Sequence, residues 1–277
     1  AGLVAAVAYM AAPYQLIDAL VRGNQVESLA LALFPFILWS GRRFTQRGQA
    51  RWFLAATLGL ALLALSHNIS LLLFAPALFL YLLFTGWAAH REWKTVLLRM
   101  LLVAGLGLLM TSFYTVPAVL EIDEVTLTLS TSNRNNDFRF NFASLSEILA
   151  PVSAEDPALI NPPLPIRLGW APVLLAILGL LSFRLVEGRE RKGHVLFMGA
   201  GALLYIFFAL PPSQPLWEAI PLIEFVQFPW RFVGRAALPV AVLAGAPFAI
   251  QFGLRIPPVA LQRLPGARRS LMPTLLG

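Results

Sequence analysis

Apolar residues cluster in eight stretches along the chain, at roughly 2–12, 26–40, 52–66, 69–86, 96–119, 169–183, 195–210 and 236–252. None of them alternates apolar with polar over its length. The strict period of two that marks a membrane β-strand is absent, so these stretches predict helices. A helix crosses the hydrocarbon core with about 20 residues. Several runs are shorter. At about 1.5 Å per residue, a run of about 15 covers only ~22 Å of a ~30 Å core. Flanking Trp and Arg stems can lengthen such helices, or the helices end inside the protein. Pro35, Pro76, Pro239 and Pro247 lie within the runs. Kinks are tolerated there when neighbouring groups satisfy the freed backbone.

Composition sharpens this picture. Of 277 residues, 58% are hydrophobic and only 13% charged, whereas a soluble domain carries about 25% charged residues. Mean hydropathy is +0.73. The expected fold is an all-α polytopic integral membrane protein of about eight transmembrane helices. The first is partial, because the chain opens on the apolar Ala1–Met10 without the basic leader of a signal peptide. That start reads as the tail of a helix begun upstream, so the chain is expected to be a fragment of a longer protein. It contains no cysteine, which excludes disulfides and thiolate metal sites.

The segments between the runs alternate in charge. Segments 41–51, 87–99, 184–194 and 253–277 hold 15 of the 21 basic residues but only Glu92, Glu187 and Glu190 of the 14 acidic ones. The excess of Lys and Arg on cytoplasmic loops places this set inside. The net charge of +7 therefore reflects topology, and no basic groove or motif points to nucleic acid. The expected organisation is helices 1–5 over 1–119, an extracytoplasmic loop over 120–168, and helices 6–8 over 169–277. An outer amphipathic segment at 211–235 and a basic cytoplasmic tail at 253–277 complete it. Within the loop, "EVTLTLSTS" (124–132) alternates and predicts a short strand.

Candidate chemistry gathers on the outer side. Asp18 and Arg22 are one helical turn apart, and Glu27 opens an apolar run. They read as a surface ion pair and a helix start, or as a carboxylate–arginine site, since a carboxylate at membrane depth usually has a function. His67 and Asn68 form the tightest outer turn. They either cap two helices or line a polar cavity, where a neutral His can donate to a phosphate. The segment "EFVQFPWRFVGR" (224–235) carries Arg231 and Arg235 among aromatic rings. An interfacial aromatic belt with snorkelling arginines explains it. So does a phosphate site, because the guanidinium fork suits phosphate oxygens and both side chains share a helix face. Pro229 is expected in the first turn of that helix. The acids Glu121, Asp123 and Glu124 read as a solvated loop start or as oxygen ligands for a divalent cation. No phosphate-binding Gly-rich loop, nucleophile elbow or His–Glu zinc helix occurs.

Three stretches, "APYQLIDALVRGNQVESLALALFPFILW" (12–39), "LSHNIS" (65–70) and "QFPWRF" (227–232), carry a resemblance. Together they resemble the bacterial and archaeal membrane proteins of the 6-pyruvoyl-tetrahydropterin synthase-related domain family. That family is similar to YfhO-type proteins and, more distantly, to C-type (GT-C) glycosyltransferases. The resemblance implies a GT-C-like protein of the cytoplasmic membrane that serves the cell envelope, taking a sugar from a polyprenyl-phosphate donor at the outer face. Its partners would be membrane lipids and that lipid-linked sugar, with a divalent cation as a possible cofactor. The catalytic acid would lie in a first outer loop upstream of Ala1, leaving Asp18 and Glu27 as candidates here. Arg22, His67, Asn68, Arg231 and Arg235 would bind the phosphate. A lipid-linked-sugar transporter or flippase, or a non-catalytic membrane scaffold, are the competing expectations. Pterin-synthase zinc chemistry is not expected. His67 falls outside and His90 and His194 inside, so the three cannot share a metal.

Overall fold

The computed structural model describes residues 1–121, 124, 133–151 and 164–249. Twelve α-helices occur among them: α1 (Gly2–Met10), α2 (Pro13–Leu20), α3 (Gln25–Arg47), α4 (Ala50–Ser66), α5 (Asn68–Ala88), α6 (Trp93–Met110), α7 (Ser112–Leu120), α8 (Leu145–Leu149), α9 (Trp170–Leu181), α10 (Arg189–Ala209), α11 (Gln214–Ala219) and α12 (Arg231–Gly245). No strand occurs among the described residues. The strand expected in 124–132 and the tail 253–277 lie outside them, apart from Glu124 itself.

Each apolar run is helical over most of its described residues, but the helices are uneven in length. Four, Asn68–Ala88, Trp93–Met110, Arg189–Ala209 and Arg231–Ala249, are long and apolar enough to cross a membrane. Helices α1 and α2, bent by 41°, make a fifth if they act as one span. Helix α3 has 23 residues, but Glu27, Arg42, Arg43 and Arg47 sit at its two ends. Helix α4 and the segment Trp170–Leu185 are shorter. The run 96–119 is split at Thr111, whose hydroxyl donates to the Gly107 and Leu108 carbonyls at 3.3 and 3.1 Å. Back-bonding of this kind competes with the helical ladder and bends it.

The helices pack as two groups. Helices α3–α6 form one, through the contacts α3–α4, α3–α5, α4–α6 and α5–α6. In the other, α1, α9 and α10 surround α12, and α10 also meets α5. Helix α12 is the centre of the molecule, with 14 of its 15 residues buried. Its Gly and Ala positions let neighbouring backbones approach closely, as membrane helix packing requires. The α9 backbone comes so near that a methyl group at Gly179 would lie 2.2 Å from the Leu243 carbonyl oxygen. Pro35 removes one ladder hydrogen bond in α3 and leaves the Leu31 carbonyl without its usual donor. The Tyr9 hydroxyl donates to that carbonyl at 2.7 Å, so the carbonyl freed by the proline also fastens α1 to α3.

The two ends of the bundle differ chemically. At one end, Arg42 forms an ion pair with Glu190, Arg99 donates to the Thr45 carbonyl at 2.8 Å, and Arg189 stacks 4.4 Å from the Trp87 ring. Segments 41–51, 87–99 and 184–194 thus meet at one basic end. At the other end, residues 133–151 fold back on the bundle. Ala143 N–H donates to the Ala209 carbonyl at 2.9 Å, and Arg139 lies 3.6 Å from Glu218. Trp217 of α11 is 1% exposed, stacks on Phe138, and donates to the Phe208 carbonyl at 3.0 Å. Segment 211–226 is therefore pinned to the end of the bundle by a buried indole.

Candidate functional site

The end opposite the basic one contains a buried ion network centred on Glu27. Asn24 caps α3 by accepting from Glu27 N–H at 3.3 Å, and its amide donates back to Glu27 Oε2 at 2.9 Å. This reciprocal cap fixes the carboxylate in the first turn of α3, where the helix dipole favours a negative charge. Glu27 is wholly buried. Three arginines approach it. Arg235 Nη1 bonds Glu27 Oε1, Arg22 Nη1 donates to Glu27 Oε2 at 3.2 Å, and Arg231 Nε lies 3.8 Å from Glu27 Oε2. The Tyr14 hydroxyl adds a bond to Glu27 Oε1 at 3.1 Å.

The arginines are held from several sides. Arg235 Nη2 bonds Ser70 Oγ of α5, and its Nη1 also donates to the Arg231 carbonyl at 3.1 Å. Arg231 Nη1 donates to the Val226 carbonyl at 2.8 Å. Arg22 bonds Asp18, whose other oxygen accepts from Ser28 at 3.1 Å, and stacks 4.7 Å from the Trp230 ring. Three guanidinium groups thus face two carboxylates, one positive charge in excess. The Nε atoms of Arg231 and Arg235 are buried without a hydrogen-bond partner. A small cavity of about 50 Å³ lies beside Arg235, walled by Phe74, Tyr81 and Tyr205 among others.

Four sequence candidates, Asp18, Arg22, Arg231 and Arg235, therefore converge on a fifth, Glu27. The last two do not snorkel: Arg235 is 1% and Arg231 8% exposed. Glu27 and Asp18 supply counter-charges that make burial tolerable, whereas an unpaired buried cation would be costly. Pro229 precedes the cap Trp230 and does not occupy the first turn of α12. His67 is an N-cap. Its Nδ1 accepts from Ser70 N–H at 3.0 Å, so it abuts the network through Ser70. Burial holds its pKa down at about 4, so the imidazole is neutral near pH 7. Asn68 stands apart. Its amide donates to the Tyr114 hydroxyl at 2.9 Å, and it borders an apolar cavity of about 650 Å³ between α4, α5 and α6.

Tyr14, Asn24, Ser28 and Ser70 belong to the network although their residue types gave no warning. Two of them were readable from spacing: Tyr14 is four residues before Asp18 on α2, and Asn24 is three before Glu27. Of the acids 121–124, Glu121 and Glu124 are exposed, and Asp123 lies outside the described residues. Among the described residues no three His, Asp or Glu side chains group as a metal site. His67 and His194 lie at opposite ends of the bundle. His194 meets Tyr81 and the Glu190 carbonyl at the basic end.

An all-helical bundle of apolar spans, with charge segregated to its two ends, defines a polytopic membrane protein. The family model for the 6-pyruvoyl-tetrahydropterin synthase related domain, described as a membrane protein, matches residues 1–260. The chain belongs to that family. No curated protein and no solved structure matches it.

Proposed function

We propose that the Glu27 network is the anchoring site for the phosphate of a polyprenyl-linked sugar at the outer face, in a glycosyltransferase-like membrane protein. The observation that carries this reading is the uncompensated positive charge. Three guanidinium groups meet two carboxylates, and the Arg231 Nε, 3.8 Å from Glu27 Oε2, makes no hydrogen bond. Arg231 is also the first residue of α12, so the partial positive charge of a 15-residue helix adds to the field there. The resemblance carried by stretches 12–39, 65–70 and 227–232 is the ground for naming a lipid-linked sugar as the substrate class. Within the site, Arg22 and Arg231 contact the phosphate. Arg235, fully enclosed, positions Glu27. Glu27 is engaged by arginines, Tyr14 and Asn24, which suits a fixed counter-ion better than a base. A transporter would carry its charged groups near the bilayer midplane. Here Glu27 and Arg231 lie in the first turns of α3 and α12 and Arg22 in the turn before α3, so the charges sit at helix ends and not mid-span.

The test is binding of a polyprenyl monophosphate to the purified protein. Arg231→Lys keeps the charge but loses the fork, and binding is expected to weaken about ten- to a hundredfold. Arg22→Lys, at the more exposed rim, gives the same direction with less risk to folding. Unchanged affinity in both variants, with intact melting behaviour, overturns the proposal.

A further inference from the structure

We propose that the basic end of the bundle carries a separate binding site for an anionic phospholipid, seated between α5 and α10. A cavity of about 480 Å³ opens there, within the 300–1,000 Å³ range of ordinary ligand sites. Its walls divide by chemistry. Arg189 and Lys192 come from the first turn of α10, and Trp87 from the end of α5. Below them lie Phe84, Leu196 and Phe197. A rim of cations over an apolar floor matches a headgroup phosphate with an acyl chain beneath it.

The two cations are available. Arg42 takes Glu190, the acid between them in sequence. Among the described residues no carboxylate lies within ion-pair distance of Arg189 or Lys192. Their contacts are with rings: Arg189 sits 4.4 Å from the Trp87 centroid and Lys192 5.7 Å from Phe183. A ring orients a guanidinium while leaving its N–H groups free to donate outward. Residues three apart on a helix share a face, so Arg189 and Lys192 present charge to the same side. Helix α10 has 21 residues, and its N-terminal partial positive charge points into the same space. The base is tight. A methyl group at Gly193 would meet the Phe84 ring at 2.5 Å, so α5 and α10 close the cavity below.

Free phosphate would use the rim and waste the floor. A neutral lipid would use the floor and waste the rim. Basic pockets between membrane helices on the cytoplasmic side take anionic headgroups, and the charge distribution puts this end inside.

The experiment uses the full chain purified in non-ionic detergent, with native mass spectrometry counting lipid adducts from equal phosphatidylglycerol and phosphatidylcholine. Wild type is expected to prefer phosphatidylglycerol. Arg189→Gln/Lys192→Gln is expected to weaken that binding roughly ten- to thirtyfold. Arg47→Gln/Arg191→Gln removes the same charge from exposed positions at the same end, and is expected to retain it. Equal loss in both variants, or no preference in wild type, overturns the proposal. So does full competition by water-soluble glycerol 3-phosphate, which would mean an anion site with no role for the chain. The outer phosphate proposal is untouched by any of these results.

Discussion

Replacing Glu27 with Gln isolates the charge on which the outer network depends. Gln has nearly the shape of Glu but no charge, and one of its terminal groups donates instead of accepting. In the native protein Glu27 Oε1 receives Tyr14 and Arg235, while Oε2 receives Arg22 and Asn24. An amide nitrogen at either position faces donors. The cluster changes from one excess positive charge to two, in a site where Glu27 and the Arg235 side chain are 0% exposed. Removing one member of a buried ion pair costs about 3–5 kcal/mol. At about 2–4 °C per kcal/mol for a chain of this class, the apparent Tm should fall by roughly 6–20 °C. Arg235→Met added to Glu27→Gln restores the native excess of one charge. Replacing a buried pair by apolar groups is often close to neutral, so the double variant should melt much nearer to wild type than Glu27→Gln alone. The assay is thermal unfolding in detergent, followed by tryptophan fluorescence. A Glu27→Gln protein melting within about 2 °C of wild type would refute the reasoning. So would a double variant less stable than the single one.

Other expectations follow from individual contacts. Gly234→Ala would place a methyl 2.3 Å from the Tyr14 ring; overpacking should cost about 1–3 kcal/mol, and Tyr14→Ala in the same chain should relieve part of the loss in a melting assay. His67 has its pKa lowered to about 4, against an ordinary value near 6.5. Its native state therefore binds fewer protons than the unfolded state, and the stability it contributes is present above about pH 6.5 and lost as pH falls toward 4. Melting of wild type should drop over that window more than melting of His67→Asn, which keeps a good cap and removes the titration; parallel curves would refute this. Single cysteines in this cysteine-free chain should label with an impermeant thiol reagent from the outside at Asn135 and Glu218, but from the inside at Arg42 and Arg191. Labelling of position 191 in intact cells would reverse the topology.

The amino-acid sequence determined the helices, because the apolar runs are unalternated and the bilayer forces the backbone to bond within its own segment. It also determined which segments share an end of the bundle, since the alternation of Lys and Arg between runs is written along the chain. Spacing was enough to pair Asp18 with Arg22, and to put Arg231 and Arg235 on one helix face. Periodicity names a face, however, and does not say what the face meets. That Arg235 finds Glu27, 208 residues away, depends on α12 sitting at the centre of the bundle, where its small residues admit α1, α9 and α10. Only that packing turned arginines that composition would let snorkel into the buried half of an ion network. It also separated His67 from Asn68, neighbours in sequence. The one faces the network through Ser70, while the other turns toward Tyr114 and the apolar groove, because α5 begins between them and its first turn sends successive side chains in different directions.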